Sequence, residues 1–243
     1  MDELNDKRIL ITGSSRGIGA ATAKLLAAEG AHLLINYRDK AKRADKVVAD
    51  IEAAGGTASA VRADITDGDS VDAMLEGLDR LDVLVLNASG GLEKDADPEY
   101  ALRLNRDAQV DLARKALALM PGRGRIVYVT SHQAHFADTV PGELDAYGPV
   151  AASKRAGETA LREMIPVFTD HGVDFLTVSG DMIEGTITAT LLERAQPGAI
   201  SNRREAAGGL LTVDQFAEHV ASAVTLDAQT GHIVFAGGTK GIA

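Results

Sequence analysis

Residues 8–19 read Arg-Ile-Leu-Ile-Thr-Gly-Ser-Ser-Arg-Gly-Ile-Gly, an apolar run that leads directly into a glycine-rich loop. The run is typical of a short buried strand, and the stretch from Gly17 to Glu29 predicts a helix that ends at Gly30. Backbone amides can approach a pyrophosphate in such a loop because glycine has no side chain. The helix dipole adds about half a positive charge there. This context predicts a nucleotide-binding loop, with a plain glycine turn as the alternative.

Apolar runs alternate with amphipathic stretches along the rest of the chain. The predicted strands are 8–12, 32–37, 59–63, 82–87, 125–130, 174–178 and 232–235. The predicted helices are 17–29, 39–54, 69–78, 98–120, 149–171 and 213–226, with a less regular segment at 179–211. Buried strands that alternate with helices favour a parallel sheet covered on both faces. We therefore expect one α/β domain over residues 1–243, a doubly wound Rossmann-type sheet of about seven strands with its ligand crevice at the strands' carboxyl ends.

The composition excludes several classes of function. The 243 residues include 25 Lys and Arg against 35 Asp and Glu, a formal net charge of −10. That balance argues against nucleic-acid binding, which needs a basic face. The chain has no cysteine, which excludes disulfides, a thiolate metal site and a cysteine nucleophile. No secretory signal is visible, no run reaches the roughly 18–20 apolar residues of a membrane span, and no metal ligands cluster. We expect a cytoplasmic protein without a metal, membrane or nucleic-acid partner.

The end of the second strand indicates which dinucleotide is bound. NAD sites usually place Asp or Glu there to hold the ribose 2′-hydroxyl, but this chain has Asn36, Tyr37 and Arg38. Arg38 can pair with a 2′-phosphate in two-pronged fashion, and Arg16 can assist from the loop, unless both are ordinary surface arginines. We therefore predict NADP (NADPH). The loop residues expected to contact it are Gly13, Ser14, Ser15, Arg16, Gly17, Ile18 and Gly19.

The ordered set of motifs resembles the short-chain dehydrogenase/reductase superfamily over essentially the whole chain. The matching features are the T-G-x-x-x-G-x-G loop, Asp64, Asn87-Ala88-Ser89-Gly90, Asn105, Ser131, Lys154 and Gly237-Gly238. The resemblance implies that Asp64 and Ile65 contact the adenine. It also implies that Asn87, with Ala88 beside it, lies under the ribose next to the nicotinamide.

The same resemblance implies a catalytic set. Asn105 would hold a water beside the lysine, Ser131 would hydrogen-bond the substrate oxygen, and Lys154 would hold the nicotinamide ribose. Lys154 would also lower the pKa of a catalytic tyrosine. A phenol with a pKa near ~10 is a poor base at neutral pH, and a nearby cation favours its ionised form.

The position of the tyrosine departs from the usual Y-x-x-x-K spacing. Val150 stands four residues before Lys154, and the nearest tyrosine is Tyr147, which makes the spacing Y-x6-K. Seven helical positions return to within about 20° of the start, so Tyr147 and Lys154 can share a face. This spacing resembles the NADPH-dependent enoyl-thioester reductases, a divergent branch of the superfamily. We expect reduction of an α,β-unsaturated carbonyl or enoyl thioester. The alternatives are a carbonyl reductase and a catalytically inactive NADP-binding regulator.

The segment 179–211 is predicted to close over the cofactor and substrate. The resemblance implies cofactor contacts from Gly180 and Thr186, and 186–195 is predicted to form a short lid helix. Arg203 and Arg204 either attract an anionic carrier or are simply solvated. His132 and His135 either face the substrate or lie on the surface. The resemblance further implies a homodimer or homotetramer, with a small molecule or thioester as the substrate.

Overall fold

A computed structural model of the chain describes residues 4–92, 97, 99–120, 122–136 and 145–238. Pro98, predicted near the first turn of a helix, lies outside the described residues. In the described part, no helix combines the length and apolar character that crossing a membrane requires.

The described strands form one parallel sheet. They are β1 Arg8–Ile11, β2 His32–Tyr37, β3 Thr57–Arg62, β4 Val83–Leu86, β5 Gly124–Ser131, β6 Val173–Gly180 and β7 Ile233–Ala236. Their order is β3-β2-β1-β4-β5-β6-β7, and every neighbouring pair is parallel. From β1 the sheet extends to one side through β2 and β3 and to the other side through β4 to β7. The strands β2 and β4 therefore lie on either side of β1. This arrangement confirms the predicted doubly wound sheet and opens a crevice where β1 ends.

Helices cover both faces of the sheet. They are α1 Gly17–Ala28, α2 Ala41–Ala53, α3 Gly68–Glu76, α4 Tyr100–Leu102, α5 Ala108–Ala116, α6 His132–His135, α7 Gly148–Glu163, α8 Ile165–Asp170, α9 Ile187–Ala195, α10 Ala199–Ala207 and α11 Val213–Thr225. Buried residues of α1, α2 and α11 pack on one face of the sheet. Residues of α3, α5, α7 and α8 pack on the other. Strands that are apolar on both sides therefore have a core on each side.

Two helices predicted as continuous are interrupted. The stretch predicted at 98–120 contains a π-helical turn, Arg103–Asp107, between α4 and α5. The stretch predicted at 149–171 divides at Met164, and Pro166 lies in the first turn of α8. A proline lacks the N–H that a helix interior requires, so a new helix begins there. The segment 179–211 is more regular than expected, because it contains α9 and α10.

The π-helical turn packs closely against α7 at Gly157. A Cβ atom at Gly157 would overlap the backbone carbonyl oxygen of Asn105 and lie 2.9 Å from the hydroxyl of Tyr128. We expect Gly157→Ala to lower the free energy of unfolding by about 1–3 kcal/mol, because backbone must move to admit the methyl group. Denaturant titration measures this change. Gly148→Ala, in the same helix with no atom within 4 Å of its Cβ, is the control. Equal stability of the two variants would contradict the packing argument.

Candidate active site

A cleft of about 830 Å³ opens at the carboxyl edge of the sheet. Most of the predicted cofactor residues line it: Gly13, Ser15, Arg16, Gly17, Ile18, Arg38, Asp64, Ile65, Asn87, Ala88, Lys154, Gly180 and Thr186. Ser131 and Tyr147 line it as well. Ser14, Gly19 and Asn105 are not part of the lining, and all three are buried. The volume lies within the ~300–1,000 Å³ of small-molecule and cofactor sites.

The glycine loop has the conformation that close approach of a ligand requires. Gly13 and Gly17 have φ values of 64° and 56°, in the left-handed region that favours glycine. A Cβ atom at Gly17 would meet nothing within 4 Å, so the backbone there borders open space at the start of α1. An anionic group can approach this helix N-terminus without meeting a side chain.

Asn36, at the end of β2, holds the glycine loop in place. Its Oδ1 accepts a hydrogen bond from the Gly13 N–H at 3.1 Å, and its backbone oxygen accepts one from Ser14 at 3.1 Å. Its amide nitrogen donates to the oxygen of Ala63 at 3.2 Å. Because Asn36 is buried and bonded to the loop, its role is to support the glycine loop structurally.

Thr12 and Asn87 join the loop to the end of β4. The Thr12 hydroxyl oxygen accepts from the N–H groups of Asn87 and Ala88, both at 2.9 Å. The Asn87 side chain donates to the Thr12 carbonyl at 2.9 Å. A Cβ atom at Gly19 would lie 2.7 Å from the Asn87 Nδ2. Gly19 therefore lets α1 start close to β4, although it lies outside the cleft lining.

A group of cations surrounds the end of the cleft near β2. Arg38 donates from Nε to Asp39 at 2.8 Å, and its Nη1 lies 4.0 Å from Asp64. Lys40 and Arg43 also line this end and were missed by the sequence reasoning, although the charged run after β2 contains them. Neither makes a side-chain ion pair with another residue in the described part of the chain. The predicted Arg16 also lines the cleft.

At the other end of the cleft, Tyr147 meets Ser131. The Tyr147 hydroxyl donates to the Ser131 Oγ at 3.2 Å, and the Ala134 N–H donates to the same oxygen at 3.3 Å. Tyr147 lies in the 3₁₀ turn Asp145–Tyr147, directly before α7. A single substrate oxygen beside this pair can therefore meet two hydroxyl groups.

Burial holds Tyr147 in its protonated form. Tyr147 is only 6% exposed, and burial raises its pKa, which the hydrogen bond with Ser131 opposes. The direction is opposite to the lowering that we expected from Lys154. Desolvation is the larger influence here, because it disfavours the charged phenolate. The phenol therefore keeps its proton at neutral pH and can donate it.

Lys154 lies in α7 with its ammonium facing β5. It is 7% exposed, and its Nζ donates to the backbone oxygen of Val129 at 3.1 Å. Burial lowers the pKa of Lys154 to about 8. Val150, one turn earlier in α7, is buried, lines the cleft and has no proton to donate.

Asn105 lies in the π-helical turn, behind the cleft. Its amide nitrogen donates to the Gly90 oxygen at 3.0 Å and to the Ser153 Oγ at 2.9 Å. Its backbone oxygen accepts from the Tyr128 hydroxyl at 3.2 Å. These contacts place Asn105 between the loop after β4 and α7, and its predicted role in holding a water stays a prediction.

The two histidines beside Ser131 point away from the cleft. His132 is fully buried against Ser179, with 2.9 Å between its Nδ1 and the serine Oγ. Burial lowers the pKa of His132 to about 4. His135 pairs through Nδ1 with Glu158 at 2.7 Å. Neither histidine is part of the cleft lining. His132 is fully buried, and His135 is partly buried with 15% of its side chain exposed. The described residues include no group of three metal-ligating side chains.

The arginines of α10 do not form an open docking site for an anionic carrier. Arg203 is buried and donates from Nε to Asp181 at 2.8 Å and 3.0 Å. Arg204 donates to Glu184 at 2.7 Å. Arg203 is therefore neither a solvated arginine nor open to an anionic carrier, whereas the Arg204 side chain is 53% exposed, as the solvated alternative expects, although it pairs with Glu184. Thr186 caps α9, accepting from the Ala189 N–H at 3.1 Å.

Apolar side chains form a wall of the cleft that Tyr147 and Ser131 also line, and the sequence reasoning did not identify it. Its members are Leu92, Val150, Met182, Leu191 and Leu192. Gln133, which follows β5, adds a polar side chain to the same space. A substrate here would be largely apolar, with few hydrogen-bonding groups.

The fold and this cleft are those of a dinucleotide-dependent oxidoreductase. The comparisons with known proteins indicate the same class. The family model described as short chain dehydrogenase matches residues 7–196. The chain also resembles a 3-oxoacyl-[acyl-carrier-protein] reductase of Synechocystis sp., with 30% identity over 260 aligned positions that cover 97% of this chain and all of the relative. The chain therefore belongs to the short-chain dehydrogenase family, which confirms the resemblance.

Other relatives are named for different activities. The 1-cyclohexenylcarbonyl-CoA reductase of Streptomyces collinus is 33% identical over 185 residues, which cover 72% of this chain and 64% of that protein. The crystal structure of angucycline C-6 ketoreductase LanV with bound NADP has a TM-score of 0.82 at 27% identity, covering 99% of this chain and 97% of that one. A short chain dehydrogenase of Burkholderia cenocepacia in complex with NADP has a TM-score of 0.79 at 30% identity, covering 97% and 98%.

Proposed function

We propose that this chain is an NADPH-dependent reductase of polarised double bonds, with an α,β-unsaturated carbonyl or enoyl thioester as its preferred substrate. The observation that carries the proposal is the Tyr147 hydroxyl at 3.2 Å from the Ser131 Oγ, in a cleft that Lys154 also lines. Val150 occupies the position four residues before Lys154, so the tyrosine that can donate a proton beside Ser131 is Tyr147.

The residues at the β2 end fit a dinucleotide with a 2′-phosphate. The loop around Gly13 and Gly17 can take the pyrophosphate, and Arg38 with Arg16, Lys40 and Arg43 can take the 2′-phosphate. The NADP bound in the two structural neighbours supports the same cofactor. NADPH, when bound, supplies the hydride.

The chain's own residues then hold the substrate oxygen and deliver a proton. Ser131 and Tyr147 donate hydrogen bonds to that oxygen, and Tyr147 gives up its proton as negative charge develops there. Lys154 lies on the same side of the cleft and binds the ribose beside the nicotinamide. The apolar wall excludes water from the reacting carbon, and residues 179–211 act as the lid, with α9 lining the cleft.

The spacing of the tyrosine favours an enoyl acceptor. Seven helical positions correspond to a rise of about 10.5 Å, and four positions to about 6 Å. Along the helix, Tyr147 is therefore about 4.5 Å further from Lys154 than a tyrosine at position 150 would be. A ketone receives hydride on the carbon bonded to its oxygen. An enoyl group receives it on the β-carbon, two bonds further from the oxygen that the acid must reach. A more distant acid suits the longer acceptor.

Ketone reduction is the second candidate. The relative that aligns over 97% of this chain is a 3-oxoacyl reductase, and the structural neighbours include ketoreductases. A serine and a tyrosine within hydrogen-bond distance of each other can also share one ketone oxygen.

Paired substrates separate these functions. NADPH consumption is measured with a 2-enoyl thioester and a 3-oxoacyl thioester of the same chain length. We expect higher kcat/KM for the enoyl thioester. Reduction of the 3-oxoacyl thioester alone would establish the second candidate instead, and no turnover with either, or with a simple enone and ketone, would favour a nucleotide-binding regulator.

Replacing Arg38 with Asp should reverse the preference between the dinucleotides. The variant loses a charge-assisted contact with the 2′-phosphate and gains a carboxylate that repels it, so the ratio of NADPH to NADH affinity should fall by more than about tenfold. Titration of both dinucleotides measures the ratio. Lys42→Asp, an equal change of charge at an exposed residue outside the cleft lining, is the control. An unchanged ratio in Arg38→Asp would contradict the cofactor assignment.

A further inference from the structure

Tyr100 connects the two walls of the cleft at its cationic end. Its hydroxyl oxygen accepts a hydrogen bond from the Arg38 Nη1 at 2.9 Å, across 62 positions of sequence. Arg38 follows β2, and Tyr100 begins α4, which comes after β4. Because β2 and β4 flank β1, this contact spans the crevice beyond the glycine loop that follows β1. Both residues line the cleft.

Two hydrogen bonds orient the Arg38 guanidinium. Asp39 accepts from Nε at 2.8 Å and Tyr100 from Nη1 at 2.9 Å, so two of the three nitrogens are held. In the described part of the chain no hydrogen bond uses the third, Nη2. Its two N–H groups remain for a ligand.

The two anchors differ in strength. The Arg38 and Asp39 side chains are 51% and 54% exposed, and such surface pairs orient a side chain weakly. The Tyr100 ring is partly buried and packs against the core on the sheet face that α3, α5, α7 and α8 cover. A hydroxyl carried by a packed ring is therefore the firmer of the two anchors, although it carries no charge.

We propose that Tyr100 is a positioning residue for dinucleotide selection, which holds Arg38 with its free N–H groups toward the 2′-phosphate of the cofactor. The inference rests on the proposed function, because it takes the bound dinucleotide to carry that phosphate. A guanidinium held in its bound orientation loses less conformational freedom when it binds. The benefit applies only to a ligand that Arg38 contacts, so it favours NADPH over NADH.

The test measures binding in place of turnover. Dissociation constants for NADPH and NADH are determined by titration for the wild-type chain, Tyr100→Phe, Arg38→Met and the double variant. Tyr100→Phe keeps the packed ring and removes only the hydroxyl. We expect the NADPH constant to rise about two- to tenfold, as for one lost hydrogen bond, and the NADH constant to stay the same. In the Arg38→Met background, Tyr100→Phe should have no further effect on NADPH.

Each other outcome overturns the inference in a distinguishable way. Equal weakening of NADPH and NADH would make Tyr100 a general part of the cleft wall. An unchanged or lowered NADPH constant would show that the hydroxyl does not position Arg38 for the phosphate. A full effect in the Arg38→Met background would show that Tyr100 acts independently of Arg38. Wild-type chain that binds both dinucleotides equally would overturn the cofactor assignment as well.

Discussion

Tyr147→Phe should lower turnover by about 10²–10⁴-fold, the usual contribution of a positioned general acid. The variant removes only the hydroxyl that lies 3.2 Å from the Ser131 Oγ. Val150 cannot replace it, because an aliphatic side chain has no proton to give. The effect should fall on kcat for the enoyl and the ketone substrates alike. Steady-state kinetics with NADPH measures it.

The binding of NADPH is the control for this variant. Tyr147 belongs to the apolar cluster that includes Ala134, Val150 and Leu192, and phenylalanine preserves that packing. We therefore expect the dissociation constant of NADPH and the thermal midpoint to remain close to the wild-type values. Turnover at the wild-type rate in the variant would remove Tyr147 from the mechanism.

Lys154→Met should make the protein more stable and less active. Burial lowers the pKa of Lys154 to about 8 from an ordinary value of 10.5, so the fold bears an energetic cost for keeping an ammonium in this place. Below pH 8 the full cost is present, and it disappears as the pH rises from about 8 to 10.5, because only the unfolded chain still binds the proton there. At pH 7 we expect the free energy of unfolding to rise by about 2–3 kcal/mol in the variant.

Denaturant titrations at several pH values measure this difference. Between pH 8 and 10.5 the wild-type protein should gain stability relative to Lys154→Met, and the two curves should converge. Turnover should also fall in the variant, because the contact that we propose between the Lys154 ammonium and the nicotinamide ribose is lost. A variant that is less stable than the wild-type chain at pH 7 would mean that the hydrogen bond to Val129 outweighs the cost of burial.

The strands were predictable because their signal is local. The apolar run at β2 predicted its bounds correctly, and the other runs lay within a few residues of the observed strands. The order of motifs then indicated the topology and most of the cleft lining. The π-helical turn at 103–107 was not predictable, since it packs against Gly157, more than fifty positions later in the chain.

The missed features of the site depend on contacts between distant segments. Tyr100 becomes part of the cleft only because β2 and β4 flank β1, and no local pattern marks it. Arg203 resembles a solvated arginine in the sequence, but α10 folds back so that Asp181 neutralises it in a buried position. The pKa of Tyr147 is raised because its side chain is buried. The spacing of residues in the sequence does not show how far a side chain is removed from solvent.

Transfer of deuterium from NADPH to the substrate tests whether Tyr147 is needed for hydride to reach the β-carbon. The wild-type chain and Tyr147→Phe are each incubated with NADPH deuterated at the hydride position and with a 2-enoyl thioester, and mass spectrometry locates the deuterium in the product. We expect deuterium on the β-carbon with the wild-type chain, and almost none over the same time with the variant. Equal incorporation by both proteins, or none by the wild-type chain, would contradict it.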